Sequence, residues 1–201
     1  MQYEAVIFDI GGVLVRTLDW SIRHQWEERL NLPADALSAL VFDTEPARLA
    51  SLGQGSDEQI WHQVAEQCGC TSEVLGCLHE DFWSCDTLNV ELATFIRSLR
   101  PRYKTGILSN AWPELRDMNQ QRFGLGDIVD YTAYSFQIGI LKPAPQSFNY
   151  ILERLDVDAP HAIFVDDFEK NVRGAREVGM TAVRFVDTAQ TIGEIQTLLA
   201  A

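Results

Sequence analysis

Asp9 ends the apolar run Ala5-Val6-Ile7-Phe8, and Gly11-Gly12 precede a second apolar run, Val13-Leu14-Val15. A carboxylate is costly inside a strand buried on both faces, so Asp9 belongs just past the strand end, where the chain turns into a crevice. The two glycines permit backbone conformations closed to other residues and let N–H groups approach a ligand closely. Taken alone, the stretch reads equally as a carboxylate that caps a turn. Other polar residues stand in the same relation to apolar runs. Ser109-Asn110 follow Gly106-Ile107-Leu108, and Asp166-Asp167 follow Ala162-Ile163-Phe164-Val165. Lys142 follows Gly139-Ile140-Leu141 and precedes Pro143. Each group alone is ordinary surface or turn chemistry. Gathered at one edge of a parallel sheet, they suggest phosphoryl transfer through a covalent aspartyl phosphate. The nucleophilic carboxylate and the phosphate repel each other. A divalent cation held by further carboxylates removes that repulsion, and hard oxygen donors select magnesium. A lysine adds positive charge, while a hydroxyl, an amide and backbone N–H groups can hold phosphate oxygens.

The elements that must position these groups alternate. The run at residues 5–8 is a buried strand. From 89 onwards, helices at 90–99, 113–121, 146–155, 172–178 and 191–199 interleave with strands at 104–108, 131–135, 162–165 and 181–185. That pattern predicts a parallel sheet with helices on both faces. The intervening stretch reads as helical throughout, with no convincing strand. Ile22, Trp26 and Leu30 recur at helical spacing after Asp19, and Pro33 opens a second helix over 33–40. Ser56 with Gln59 three residues later is a capping-box pattern, and Thr71 to Phe82 gives one more helix.

The chain has 201 residues, 46% of them hydrophobic, which suits one domain of ordinary size carrying a smaller insert. A formal net charge of −13 argues against nucleic acid and anionic membrane surfaces, which reward basic patches. It leaves room for a small anionic substrate, because a cation and one lysine reverse the local field. The N-terminus lacks the basic region of a secretory signal, and no apolar run approaches the roughly 18 residues of a membrane span. A cytoplasmic protein, monomeric or homodimeric, is expected. Cys68, Cys70, Cys77 and Cys85 lie in one short stretch with His79, without the repeated pairing of zinc ribbons; free, mostly buried thiols are expected.

The segments Asp9-Ile10-Gly11-Gly12-Val13-Leu14, Ser109-Asn110, Lys142-Pro143 and Val165-Asp166-Asp167, with Asn171 behind, occur in an order and at separations that resemble the haloacid dehalogenase-like hydrolase superfamily. The resemblance spans nearly the whole chain. It implies a three-layer, Rossmann-like α/β core from residues 1–15 and 87–201, with a helical cap inserted over 16–86. It implies that Asp9 is the nucleophile and a magnesium ligand, joined by the Gly11 carbonyl and by Asp167 with Asp166 beside it. Ser109, Asn110 and the backbone at Gly11 and Gly12 bind phosphate in this reading. Lys142 stabilises the phosphate, and Asn171 orients Asp166 or Lys142.

The function so implied is a magnesium-dependent phosphomonoester hydrolase acting on a small, sugar-phosphate-like metabolite. One departure stands out. Most phosphatases of the superfamily carry a second aspartate, the general acid and base, where this chain has Gly11. General acid–base help is typically worth about 10²–10⁴-fold, so slow turnover or a good leaving group is expected. A 2-haloacid dehalogenase lacks that aspartate too, but Asp166-Asp167 would repel a carboxylate substrate unless a cation intervened. A catalytically impaired protein that binds a metabolite or a partner is the third reading. Substrate choice is expected from cap residues, with Arg16, Trp20, His24, Asp43, Glu45 and Arg48 as candidates. Trp20 and Trp26 either wall a pocket or belong to the cap's core.

Overall fold

The computed structural model describes residues 2–200, so the outer core bounds expected at 1 and 201 lie outside the described residues. Among these, β1 (Ala5–Phe8) and β2 (Val15–Thr17) precede α1 (Ser21–Arg29), α2 (Ala36–Phe42), α3 (Glu45–Ser51), α4 (Asp57–Cys68) and α5 (Ser72–Ser84). Then come β3 (Asp86–Leu88), α6 (Val90–Leu99), β4 (Lys104–Ser109), α7 (Pro113–Phe123), β5 (Tyr131–Tyr134) and α8 (Ser135–Ile138). The chain finishes with α9 (Pro145–Leu155), β6 (Ala162–Asp166), α10 (Glu169–Glu177), β7 (Thr181–Arg184) and α11 (Thr188–Ala200).

Five strands form one parallel sheet in the order β5-β4-β1-β6-β7. All four residues of β1, the central strand, are fully buried. Alternate side chains serve two separate cores, as the period of two requires. Val6 and Phe8 pack with Leu92 and Ile96 of α6 and Ile195 of α11 on one face. Ala5 and Ile7 pack with Phe148 and Ile151 of α9 and Val172 of α10 on the other. Parallel order brings the C-terminal ends of β1, β4 and β6 to one edge, and with them Asp9, Ser109 and Asp166. This is the doubly wound α/β architecture that the alternation predicts.

Helices α1–α5 bury a core of their own, including Trp26, Leu37, Val41, Ile60 and Phe82. The capping pattern at Ser56 is real: its N–H donates to Gln59 Oε1 at 3.0 Å, where α4 begins. The segment ends expected at residues 15/16 and 86/87 lie within an antiparallel ribbon, in which β2 pairs with β3. Strands of three residues, four of the six residues polar, leave no periodic signal. The cysteines are not mostly buried: Cys85 is, whereas Cys77 is exposed and Cys68 and Cys70 are half-buried. Trp26 belongs to the core of the helical segment, and Trp20 is 39% exposed. No helix among the described residues is long and apolar enough to cross a membrane.

Candidate functional site

Asp9 lies one residue past β1, buried to 7% exposure. Its Oδ1 accepts the Ile10 N–H at 2.7 Å and lies 2.8 Å from Lys142 Nζ. Among the described residues Oδ2 has no hydrogen-bond partner. One oxygen is thus pinned while the other is left available. Burial pushes the Asp9 carboxyl up to about 7; Lys142 opposes that shift and Asp166 adds to it.

The turn after Asp9 is closed by Val15 N–H to the Ile10 carbonyl (2.8 Å) and by Gly12 N–H to the Val15 carbonyl (3.0 Å). Gly12 was expected to offer its N–H to phosphate, but that N–H is spent on the turn. The reason for a glycine is different: φ is +74°, and a Cβ would lie 2.2 Å from Asp167 Oδ2. Gly11 is the opposite case. It is exposed, and nothing lies within 4 Å of where its Cβ would stand. Neither its N–H nor its carbonyl is bonded among the described residues, so both remain open to a ligand.

Lys142 does not follow a strand, contrary to expectation. It lies in the loop between α8 and α9, at 3% exposure. Asn110 holds that loop: its Oδ1 accepts the Lys142 N–H at 2.8 Å and its Nδ2 donates to the Lys142 carbonyl at 3.1 Å. The amide expected to bind phosphate therefore secures the lysine's backbone. Ser109, the last residue of β4, is buried, and its hydroxyl has no partner among the described residues. Lys142 Nζ also donates to Asp166 Oδ2 at 2.6 Å. Burial pulls the ammonium down, but Asp9 and Asp166 more than offset it, and the net shift is upward.

Asp166 is fully buried and accepts bonds from Lys142, the Phe168 N–H (2.9 Å) and Asn171 Nδ2 (3.0 Å to each oxygen). Its oxygens each receive two donors, which fills a carboxylate's capacity. It therefore anchors Lys142 and leaves little for a metal. Asn171 Nδ2 thus bridges its two oxygens. Asp167 differs. Its Oδ1 is buried and has no hydrogen-bond partner. Burial, with Asp166 next, pushes its carboxyl up to about 6. Oxygens of Asp9, Asp166 and Asp167 lie within 4.8 Å of one another. An orphaned buried oxygen beside a free carboxylate oxygen is a donor set that fits a hard divalent cation.

The cap candidates make contacts of their own. Glu45 and Arg48 pair with each other through two contacts of 2.7 Å, and His24 lies 3.5 Å from Asp35. Arg16 stands 5.2 Å over the Phe185 ring, while Trp20 stacks on His24 and Asp43 is exposed. The sequence reading overlooked Ser135, one residue past β5. Its place mirrors Ser109 and Asp9, so the rule of polar residues after strands was sufficient to find it. It also overlooked Trp112, two residues beyond Asn110.

Comparison with known proteins bears on this arrangement. The chain is 26% identical over 214 residues to rat bifunctional epoxide hydrolase 2; the match takes in 98% of the chain and 39% of that relative, so the chain spans about two fifths of its length. It is 25% identical to D-ribitol-5-phosphate phosphatase of Bacteroides thetaiotaomicron, over 96% of the chain and 97% of the relative. Among solved structures, a HAD-like hydrolase of Porphyromonas gingivalis superposes with TM-score 0.79 at 20% identity, covering all of both chains. A HAD family enzyme of Bacteroides thetaiotaomicron, in complex with magnesium and inorganic phosphate, gives 0.73 at 18%, covering 90% and 93%. L-2-haloacid dehalogenase of Xanthobacter autotrophicus gives 0.67 at 20%, covering 98% and 83%. These structural likenesses establish the fold. A family model for haloacid dehalogenase-like hydrolases matches residues 3–179, which contain every strand of the sheet but β7 and all of the polar residues gathered above; the chain belongs to that family.

Proposed function

We propose that the chain is a magnesium-dependent phosphomonoester hydrolase that works through a phosphoryl group carried on Asp9. The observation that carries this reading is a carboxylate cluster, with oxygens of Asp9, Asp166 and Asp167 within 4.8 Å of one another, in which Asp9 Oδ2 is free beside a pinned Oδ1 and Asp167 Oδ1 is orphaned. Asp9, Asp167 and the Gly11 carbonyl hold the metal in this reading, with Asp166 behind them. Bound there, magnesium neutralises the repulsion between carboxylate and phosphate and polarises the phosphoryl oxygens. Asp9 Oδ2 attacks phosphorus as the bond to the leaving oxygen breaks. Water then attacks phosphorus, Asp9 departs as carboxylate, and the water's proton leaves to solvent. Lys142 holds Asp9 Oδ1, which keeps the nucleophile's rotamer fixed and balances charge. Ser109 Oγ and the Gly11 N–H donate to phosphate oxygens. We assign residues 16–86 as a cap that shapes the pocket for the leaving group, and a small phosphorylated metabolite as the substrate. The phosphatase among the relatives and the magnesium–phosphate complex among the structural neighbours support the same reading.

The dehalogenase reading has structural neighbours of its own. Against it stand Asp166 and Asp167, since a 2-haloacid carboxylate would face two further anions. A screen of phosphorylated metabolites with magnesium, repeated in chelator and with 2-haloacids, tests the proposal. Phosphate release that stops in chelator supports it. Halide release that persists in chelator overturns it.

A further inference from the structure

The segment after Ser109-Asn110 is gripped from two sides. The Ala111 N–H donates to Ser135 Oγ at 3.1 Å. That hydroxyl donates in turn to the Ser51 carbonyl, at the end of α3, at 2.6 Å. Ser135 is 1% exposed, so its removal would leave both groups unpaired in a dry place. One residue on, the Trp112 ring sits inside the aromatic cluster of the helical segment, 5.9 Å from Phe42 and 6.3 Å from Trp83 between centroids. Its Nε1–H donates to Asp57 Oδ1, in the first turn of α4, at 2.9 Å. Gly53 closes the same contact. Its φ is +73°, and a Cβ there would lie 2.6 Å from the Phe136 carbonyl, so the two backbones meet directly.

The other end of this segment reaches Asp9. Asn110 holds both backbone groups of Lys142, and Lys142 Nζ lies between Asp9 and Asp166. Contacts therefore run without a break from α3 and α4, through Ala111 and Trp112, to Asn110, Lys142 and the nucleophile. Plain packing would explain a buried tryptophan. It does not explain directed hydrogen bonds on two successive residues beside the corner that carries Ser109.

We propose that Ser135, Trp112 and Asp57 are positioning residues that set the Ser109-Asn110 corner from the cap, so that anion affinity there depends on how α3 and α4 are seated. This rests on the reading of that corner as a phosphate site. Asp57 acts through Trp112 and need not touch substrate.

The test measures two dissociation constants on the full chain: that of inorganic phosphate in saturating magnesium, and that of magnesium without phosphate. Asp57→Ala should weaken phosphate binding on the order of tenfold, the scale of one hydrogen bond to a charged group. Asp57→Asn keeps an acceptor for the indole while losing the charge that faces His79, 3.5 Å away; it should bind phosphate like the parent. Ser135→Ala should act in the direction of Asp57→Ala. Magnesium affinity should stay within about twofold throughout, because Asp9 and Asp167 follow other strands. If Ser135→Ala fails to fold, the Asp57 pair still decides. Phosphate affinity unchanged in Asp57→Ala, an Asn variant as weak as the Ala variant, or a parallel loss of magnesium each overturns the proposal while the phosphate site stands. A parent protein that binds no phosphate overturns the site reading and the proposal together.

Discussion

Gly11 and Gly12 are neighbours, yet alanine should act on them in opposite ways. At Gly12 the backbone holds φ at +74°, where an L side chain costs roughly 1–2 kcal/mol. The new Cβ would also stand 2.2 Å from Asp167 Oδ2 and 2.6 Å from its Cγ. That carboxylate is the end of a short, rotatable side chain, so it will swing away before the core gives. Stability should therefore fall by little more than the backbone term. For a chain of this size that is a drop in Tm of about 2–8 °C. The larger effect is on the metal site, because the carboxylate displaced is the one with an orphaned oxygen. Disturbing a group that orients a ligand typically costs about 10–100-fold in metal affinity, and Gly12→Ala should weaken magnesium by that much. At Gly11 nothing lies within 4 Å of the Cβ position and φ is not positive. Gly11→Ala should leave both quantities near the parent's. Thermal unfolding with and without magnesium, together with a magnesium titration, reads both variants. Equal magnesium affinity in the two would refute the argument that Gly12 exists to make room for Asp167.

Gly11→Asp should raise turnover on alkyl phosphates, by up to about 10²–10⁴-fold, and change p-nitrophenyl phosphate little, because a phenolate leaves without a proton; steady-state kinetics in saturating magnesium compares the two. Lys142→Met should cost about 3–5 kcal/mol in metal-free protein by leaving Asp9 and Asp166 buried without their cation, and denaturant unfolding reads that loss. The carboxyls of Asp9 and Asp167 are raised to about 7 and about 6, so in metal-free protein their contribution to stability is full below their unfolded values and is lost as pH rises through that range. Magnesium needs both ionised, so its gain in Tm should be larger near pH 8 than near pH 5, about neutral pH marking the change; a gain independent of pH would contradict the ligand assignment.

Much of the fold is legible because buried strands and amphipathic helices have unlike periods. Ala5–Phe8 and Ala162–Val165 read as strands because both faces are covered, and Val90–Leu99 reads as a helix because Leu92, Ala93, Ile96 and Leu99 share one face. The β2–β3 ribbon is not legible, because Val15-Arg16-Thr17 and Asp86-Thr87-Leu88 owe their pairing to each other and not to a core-facing pattern. At the site, residue types were readable and their duties were not. Asn110 follows β4 and Asp166 ends β6, but what they bond depends on Lys142, which lies in a loop between two other elements. The lysine backbone takes up the amide of Asn110, and three donors fill Asp166. Gly12 likewise owes its identity to Asp167, a contact that only the folded sheet creates.

The central claim is that Asp9 carries a phosphoryl group in a magnesium-dependent step. Acetyl phosphate is a donor reactive enough to label the site even if later hydrolysis is slow. After brief incubation with magnesium and an acid quench, peptide mass spectrometry should find a phosphoryl adduct on the peptide containing Asp9. The adduct should be absent in chelator and absent in Asp9→Asn, whose amide is a far weaker nucleophile. Phosphate release that continues undiminished in Asp9→Asn would contradict the account.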